Sequence, residues 1–319
     1  MKRWIGIVLI GIGVFLVVLA PLLRFYVVPS VAKAPLAPGQ TTGGISTIVS
    51  TGIGRTVFYA EKLAAGEDPI RRDVALTATR TTRGDVLAAE AVDAKNQDLA
   101  IYDSIQTLVD EKNTIINSEQ IRVPFDRVNS DLKNCCGGNV NGQTVTFEGI
   151  NPLKFGFFLG KQTYSYFDTT VLKAVPMPYV TEESIQGLTT YKFEQTIEPT
   201  QIGTQDVPGN LVGETVATYT APRFYSNTRT VWVDPITGSI IKGQEVQKQT
   251  LRGADGTDKT ILLDATLAFD EPTVTANVNE AKDNGSKINL LKTTVPIIAL
   301  ILGVIALVGG ILIVRRASS

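Results

Sequence analysis

The chain has 319 residues, 44% of them hydrophobic, and its 30 basic and 31 acidic residues leave a formal charge of −1. With no histidine and only two cysteines, Ser-His and Cys-His catalysis and the usual zinc-site patterns are excluded. All the acidic residues fall between Glu61 and Asp283 while seven basic residues sit at the two ends, which leaves the middle about eight charges negative; such a surface repels nucleic acid.

The first element is an uncharged run of 20 residues, Trp4 to Leu23 ("WIGIVLIGIGVFLVVLAPLL"), long enough as a helix to cross a bilayer. A cleaved signal peptide is the other reading, with "AKA" at Ala32–Ala34 as the site. The apolar run is longer than an ordinary signal core, the site lies well beyond it, and Pro35 would follow the cut. The expectation is an uncleaved anchor over residues 1–28. Lys2 and Arg3 before it, and Arg315 and Arg316 at the other end of the chain, suit a cytoplasmic side. Arg24, Lys33, Lys287 and Lys292 flank the spans on the opposite side, so the basic count alone does not fix orientation. Because the first helix usually leads, the expected placement is the plasma membrane with both termini cytoplasmic and the middle extracytoplasmic.

Residues 29–46, with "VAKAPLAPGQTTGG", read as a linker. Residues 47–272 are expected to form a β-rich domain. "DVALTATRTTRGD" is rich in Thr and Val, and "DLAIYDSIQTLVDEKNTIINSEQIRVPFD" reads as two strands around a turn at Glu111–Asn113, with a helix over Asp103–Ser118 as the alternative. "LTTYKFEQTIEP" alternates: Tyr191, Phe193, Gln195 and Ile197 share one face, and Lys192, Glu194, Thr196 and Glu198 the other. "QIGTQDVPGNLVGE" reads as a loop. In "VWVDPITGSII" Asp234 starts a turn, Pro235 presets φ, and Gly238 leads back into a strand. The same rhythm surrounds Asp126 and Asp168, each preceded by an apolar residue, Phe125 or Phe167, as Val233 precedes Asp234. Either these aspartates are ordinary turn starters, or similar hairpins build one long curved sheet. The fold class expected is mainly β: a curved antiparallel sheet, half-barrel or sandwich, between two transmembrane α-helices.

Residues 273–292 lose the β pattern and read as a short helix or an extended stalk. The second anchor and its basic tail occupy residues 293–319, with the apolar run Thr294–Val314. Ala299, Gly303, Ala306 and Gly310 fall on one helical face, and Gly6, Gly13 and Ala20 form a seven-residue ladder in the first span. Either Gly and Ala are simply common in spans, or the two spans pack as an antiparallel pair.

Signals for chemistry are sparse. The pairs Ser130-Lys133 and Ser239-Lys242 have β-lactamase spacing but lie in turn or strand regions without companion motifs. Phosphate loops, EF-hands and dinucleotide fingerprints are missing from the sequence. The expectation is a protein that is not an enzyme and needs no cofactor or metal. Cys135 and Cys136, adjacent in "KNCCGGNVNG", read as a vicinal disulfide, a bridge to a partner, or loop thiols. The aromatic residues Phe155, Phe157, Phe158, Tyr164, Tyr166, Tyr191, Phe193 and Trp232 cluster along the chain. They suit either a sandwich core or the lining of a cavity for an apolar ligand, and are the candidate lipid-binding residues.

Together "ATRTTRGD", "RVPFDRVNSDLKNCC", "KQTYSYFDTT", "GLTTYKFEQTIEPT", "RTVWVDPITGSII" and the two spans resemble an actinobacterial family of two-span membrane proteins, the PorA-like porins. The resemblance covers most of the chain and brings no catalytic motif. It implies a connection with polar growth and envelope-lipid handling in mycolate-bearing bacteria. "TVWVDPITGSII" is also similar to a strand-turn-strand of LolA-type lipid carriers. The expected partners are therefore the membrane, an envelope lipid or glycolipid, and a lipid exporter or other envelope protein. The expected function is lipid binding or assistance to lipid transport; the alternative is a non-enzymatic envelope scaffold. Pore formation ranks below both, because neither span carries an ionisable residue to line a channel.

Overall fold

A computed structural model describes residues 2–39 and 44–316, and the side chains of all of these except Lys2 and Val92. Residues 40–43 of the expected linker, and the Lys2 side chain invoked for orientation, lie outside the described residues.

Helix α1 (Lys2–Leu22) passes through a π turn (Leu23–Val27) into α2 (Val28–Val31). Strand β1 (Ile45–Phe58) is followed by α3 (Ala60–Ala64), β2 (Ile70–Arg71), β3 (Val74–Gly84), and two short helices, α4 (Val86–Glu90) and α5 (Val92–Asn96). Then come β4 (Leu99–Asp110), β5 (Ile115–Asp126), β6 (Asn139–Val140) and β7 (Gln143–Thr144). The hairpin β8 (Tyr164–Asp168) and β9 (Lys173–Met177) precedes β10 (Tyr179–Ile185), β11 (Leu188–Pro208), β12 (Thr218–Val233), β13 (Ile240–Arg252) and β14 (Asp258–Phe269). Helix α6 (Glu271–Asn289), a second π turn (Leu290–Thr294) and α7 (Val295–Arg316) complete the chain. Two compact units result: one from the two ends, up to Lys33 and from Glu280, and one from Ala34–Asn279.

In the first unit α1 and α7 run antiparallel. A Cβ built on Gly6 would stand 2.9 Å from the Gly310 carbonyl oxygen, and one on Gly13 2.8 Å from that of Gly303. Gly303 and Gly310 are equally tight against Gly13 and Gly6. The small faces visible in the sequence are therefore the contact face; Ala20 and Ala299 are buried on it and Ala306 is half-buried. Small residues let the two backbones approach and gain dispersion contacts without needing polar groups.

The second unit is a twelve-stranded antiparallel sheet among the described residues, in the order β10-β11-β12-β13-β14-β1-β3-β4-β5-β6-β7 with β2 beside β1. β1 is central, pairing with β3 on one side and β14 on the other. Gly52 permits this: a Cβ there would lie 1.9 Å from the Thr266 carbonyl oxygen. The alternation in β11 buries Phe193, Gln195 and Ile197 and exposes Thr196 and Glu198. Where a helix over Asp103–Ser118 was the alternative, the chain forms β4 and β5; the Asp110 carboxylate closes their turn by accepting from the backbone N–H groups of Lys112 and Thr114 at 2.9 and 2.8 Å.

The three echoed turns share one device. Asp126 accepts from the N–H groups of Val128 and Asn129, Asp168 from those of Thr170 and Val171, and Asp234 from the N–H and hydroxyl of Thr237. Each carboxylate supplies the acceptor that the reversing backbone lacks.

Three sequence expectations need correction. Residues 201–208 of the expected loop belong to β11; two irregularities in its pairing with β12, the second spanning Gln201–Gly203, absorb the glycine that reads as a breaker. The segment 273–292 is neither short nor extended, since the chain is helical from Glu271 to Arg316. From Ala34 the expected linker is fixed to the sheet unit: Ala34 is fully buried, its N–H donates to the Arg127 carbonyl, and its own carbonyl accepts from Arg127 Nε.

The sheet must curl. Arg229 on β12 and Glu119 on β5 are bonded by the consecutive residues Asp168 and Thr169. Six strand spacings separate β12 from β5 in the sheet order, about 29 Å if flat. The β8–β9 hairpin therefore spans the concave side of a half-barrel.

Candidate functional site

Strand parity sets what the concave side presents. On β3 the residues Leu76, Ala78 and Arg80 share a face; on β5, Glu119, Ile121 and Val123; on β12, Arg229, Val231 and Val233. Antiparallel register then lines up polar residues across neighbouring strands. Arg80, Gln106 and Glu119 stand opposite one another on β3, β4 and β5. Glu245, Arg229 and Gln195 do so on β13, β12 and β11. Two polar rungs thus face each other from the two halves of the sheet, embedded in apolar neighbours.

The second rung is closed on itself. Arg229 donates to Glu245 through Nε (2.6 Å) and to Asp168 and Gln195 through Nη1 (2.9 and 2.7 Å). Gln195 in turn donates to the carbonyls of Tyr166 and Val175. Burial works against the Arg229 charge, but Glu245 and Asp168 outweigh it and hold the guanidinium well above its ordinary pKa. Burial likewise raises Glu245, and Arg229 more than offsets this, leaving the carboxylate below its usual range.

The first rung is open. Glu119 accepts one hydrogen bond, from the Thr169 hydroxyl at 2.7 Å. Burial pushes its pKa up; Thr169 and Arg80 pull it back, while Asp168 and Glu245 add to the rise. Arg80 and Gln106 have no hydrogen-bond or ion-pair partner among the described residues.

Between the rungs lies a cavity of about 70 Å³. Arg80, Gln106, Glu119, Arg229 and Glu245 form much of its polar part, and Ile48, Leu153, Val231, Leu267 and Phe269 much of its apolar part. Tyr166 and Phe167 of β8 close it on the hairpin side.

The aromatic candidates are distributed differently from one lining. Tyr166 alone of the eight borders the cavity. Phe155, fully buried, stacks on Phe193 with centroids 5.4 Å apart and meets Tyr164 edge-on at 5.6 Å. Tyr191 packs edge-on against Tyr179 with the Lys161 ammonium 5.1 Å from its ring. Phe157 lies under the Lys154 ammonium at 4.1 Å, and Phe158 is exposed. Trp232 falls on the opposite face of the sheet, between Lys192 and Lys242, with its indole N–H donating to Glu183 at 2.7 Å. Rings that pack against one another have little area left for a ligand.

Cys135 and Cys136 are joined as a vicinal disulfide. The Cys136 carbonyl accepts from Arg122 Nε at 3.0 Å, and the pair packs beside Ala94, Leu99 and Ile101, away from the cavity lining.

The rung residues Arg80, Gln106, Glu119 and Glu245 were not singled out from the sequence, nor was Arg229. A signal existed: each charged one sits at the inward parity of an alternating strand, where an apolar residue is the rule.

Four known relatives or likenesses bear on this chain. The family described as Porin PorA matches residues 5–312. A protein named Porin PorA from Corynebacterium resistens is 25% identical, with 99% of this chain and 97% of that protein covered. Another of the same name from Corynebacterium amycolatum is 24% identical, with 97% and 98% covered. Among solved structures, a protein assigned as a lipoprotein from Parabacteroides distasonis aligns at a TM-score of 0.21 and 9% identity, covering 70% of this chain and 94% of its own; a likeness that low carries no argument.

Proposed function

This chain belongs to the Porin PorA family, a membrane protein of the cell envelope, and on that premise we propose that its half-barrel binds an envelope lipid or glycolipid or assists its transport. The observation that carries the reading is the amphipathic cavity inside the sheet, lined by the facing polar rungs and by aliphatic and aromatic side chains. Such a site takes a ligand with both a polar and an apolar end. The β-rich unit would stand outside the plasma membrane, where envelope lipids are handled, with a lipid exporter or another envelope protein as the partner that delivers or receives cargo. Binding, not turnover, is the mechanism, so the protein is not an enzyme.

A non-enzymatic scaffold is the second reading. The close packing of Phe155, Tyr164 and Phe193 favours it, since those rings behave as core. A channel is the least supported: the two spans carry no ionisable residue, and the outer face of β11 presents Lys192, Glu194, Thr196 and Glu198, which is unlike a lipid-facing strand.

Native mass spectrometry of the full chain, purified from an actinobacterial host and released from detergent, tests the proposal. A stoichiometric lipid that survives removal of bulk lipid is the expected result. A protein that arrives empty and takes up no fluorescent fatty acid would favour the scaffold.

A further inference from the structure

Building on the lipid-binding reading of the same cavity, we propose that Arg80 and Gln106 form a subsite for an oxyanion headgroup, a carboxylate or a phosphate monoester, at the end of an apolar tail.

The two rungs have matching residue types, each with an arginine, a glutamine and a glutamate. Each side chain of the Glu245–Arg229–Gln195 rung is hydrogen-bonded within the protein. In the other rung, the Arg80 guanidinium lines the cavity and bonds neither to Glu119 nor to Glu245, although both feel its charge. A guanidinium offers five N–H donors and accepts nothing. A planar fork of this kind, half-buried in a cavity wall, is matched best by two oxygens of one anionic group. Gln106, next to it in register, adds a further donor at the same level.

The other charges facing this point do not neutralise it. Glu245 and Asp168 are committed to Arg229. Glu119 is the remaining acid, and burial disfavours its charged form, which lessens the repulsion an incoming anion meets. The space of about 70 Å³ suits a headgroup and the first carbons of a tail. Ile48, directly across from Arg80 on β1, and Leu267 begin the apolar wall such a tail would follow.

Three probes with one tail length separate headgroup from chain: octanoate, octyl phosphate and octanol, titrated calorimetrically into the full-length protein in amphipol. Wild type is expected to bind at least one anionic probe about tenfold or more tightly than octanol. Whichever anion prevails identifies the headgroup chemistry. Arg80→Met should abolish that preference while leaving octanol affinity within about twofold, and Gln106→Leu should weaken it less; near-ultraviolet circular dichroism checks that both variants fold. Equal binding of all three probes by wild type overturns the anion subsite but leaves the lipid reading in place. Failure of every probe to bind counts against both. The wild-type comparison decides the matter even if Arg80→Met does not fold.

Discussion

At Arg229 one guanidinium, 12% exposed, holds two carboxylates and an amide from three different strands. Arg229→Met should destabilise the sheet unit by about 3–5 kcal/mol, since Asp168 and Glu245 are left as buried charges without a counter-ion; a drop in the thermal midpoint reports it. Arg229→Lys should recover only part of the loss, because an ammonium cannot serve the same fork. Glu119 makes the opposite case. Its folded pKa is raised, so its contribution to stability is fully present below the unfolded value and is lost as pH rises through the folded one. Glu119→Gln removes that loss and can still accept from Thr169. The midpoint of the variant should therefore gain on wild type more at pH 7.5 than at pH 4.5, near the unfolded carboxyl value (about 4.3). Arg80, Asp168 and Glu245 face the same point, and a gain independent of pH would show that they, not ionisation of Glu119, dominate. Inward parity marks these charged residues in the sequence, but their partners cannot be read from it, since Arg80 faces Glu119 only through the register of three strands. The aromatic run was conspicuous for its composition, yet Phe155 and Phe193 are drawn into mutual packing that composition does not reveal.

The β12–β13 turn is the clearest case of an element legible in advance. Asp234, Pro235 and Gly238 announce it, and Gly238 does adopt a left-handed φ of +72°. What the sequence hides is its clasp. Phe155, Phe158 and Leu159 donate their N–H groups to the carbonyls of Gly238, Ile236 and Pro235, and Lys154 Nζ reaches the Thr237 carbonyl. A Cβ at Gly238 would come within 2.2 Å of the Phe155 carbonyl oxygen. Gly238→Ala should therefore cost about 2 kcal/mol or more, from strained backbone plus the clash, and Asp234→Ala about 1–3 kcal/mol through the unpaired Thr237 N–H. Equal denaturant midpoints for wild type and Gly238→Ala would show that the clasp is loose. The element misread as a loop, the end of β11, failed for a physical reason: Gly203 and Asp206 are turn residues by type, but pairing with sixteen-residue β12 overrides them.

For the whole molecule, the spans were the plainest feature of the sequence, and the face by which they meet was one of two readings of their small residues. Cysteines at Gly6 and Gly310 should cross-link on mild oxidation in membranes, whereas Gly13→Leu should suppress the link by holding the helices apart. For the proposed orientation, a membrane-impermeant thiol reagent should label Ala91→Cys, an exposed site in the sheet unit, on intact cells and leave Arg316→Cys unlabelled; the reverse pattern would invert the topology. The position of β1 has a consequence for biosynthesis. The ribosome delivers this strand early, but its partner β14 is the last strand of the sheet to emerge: Ser50 waits for Phe269. Until then one flank of β1 stays unpaired and open to any passing strand. Closure of so distant a pair is intrinsically slow, so a chain halted after β5 is exposed to aggregation even when every residue of its own hairpins is correct.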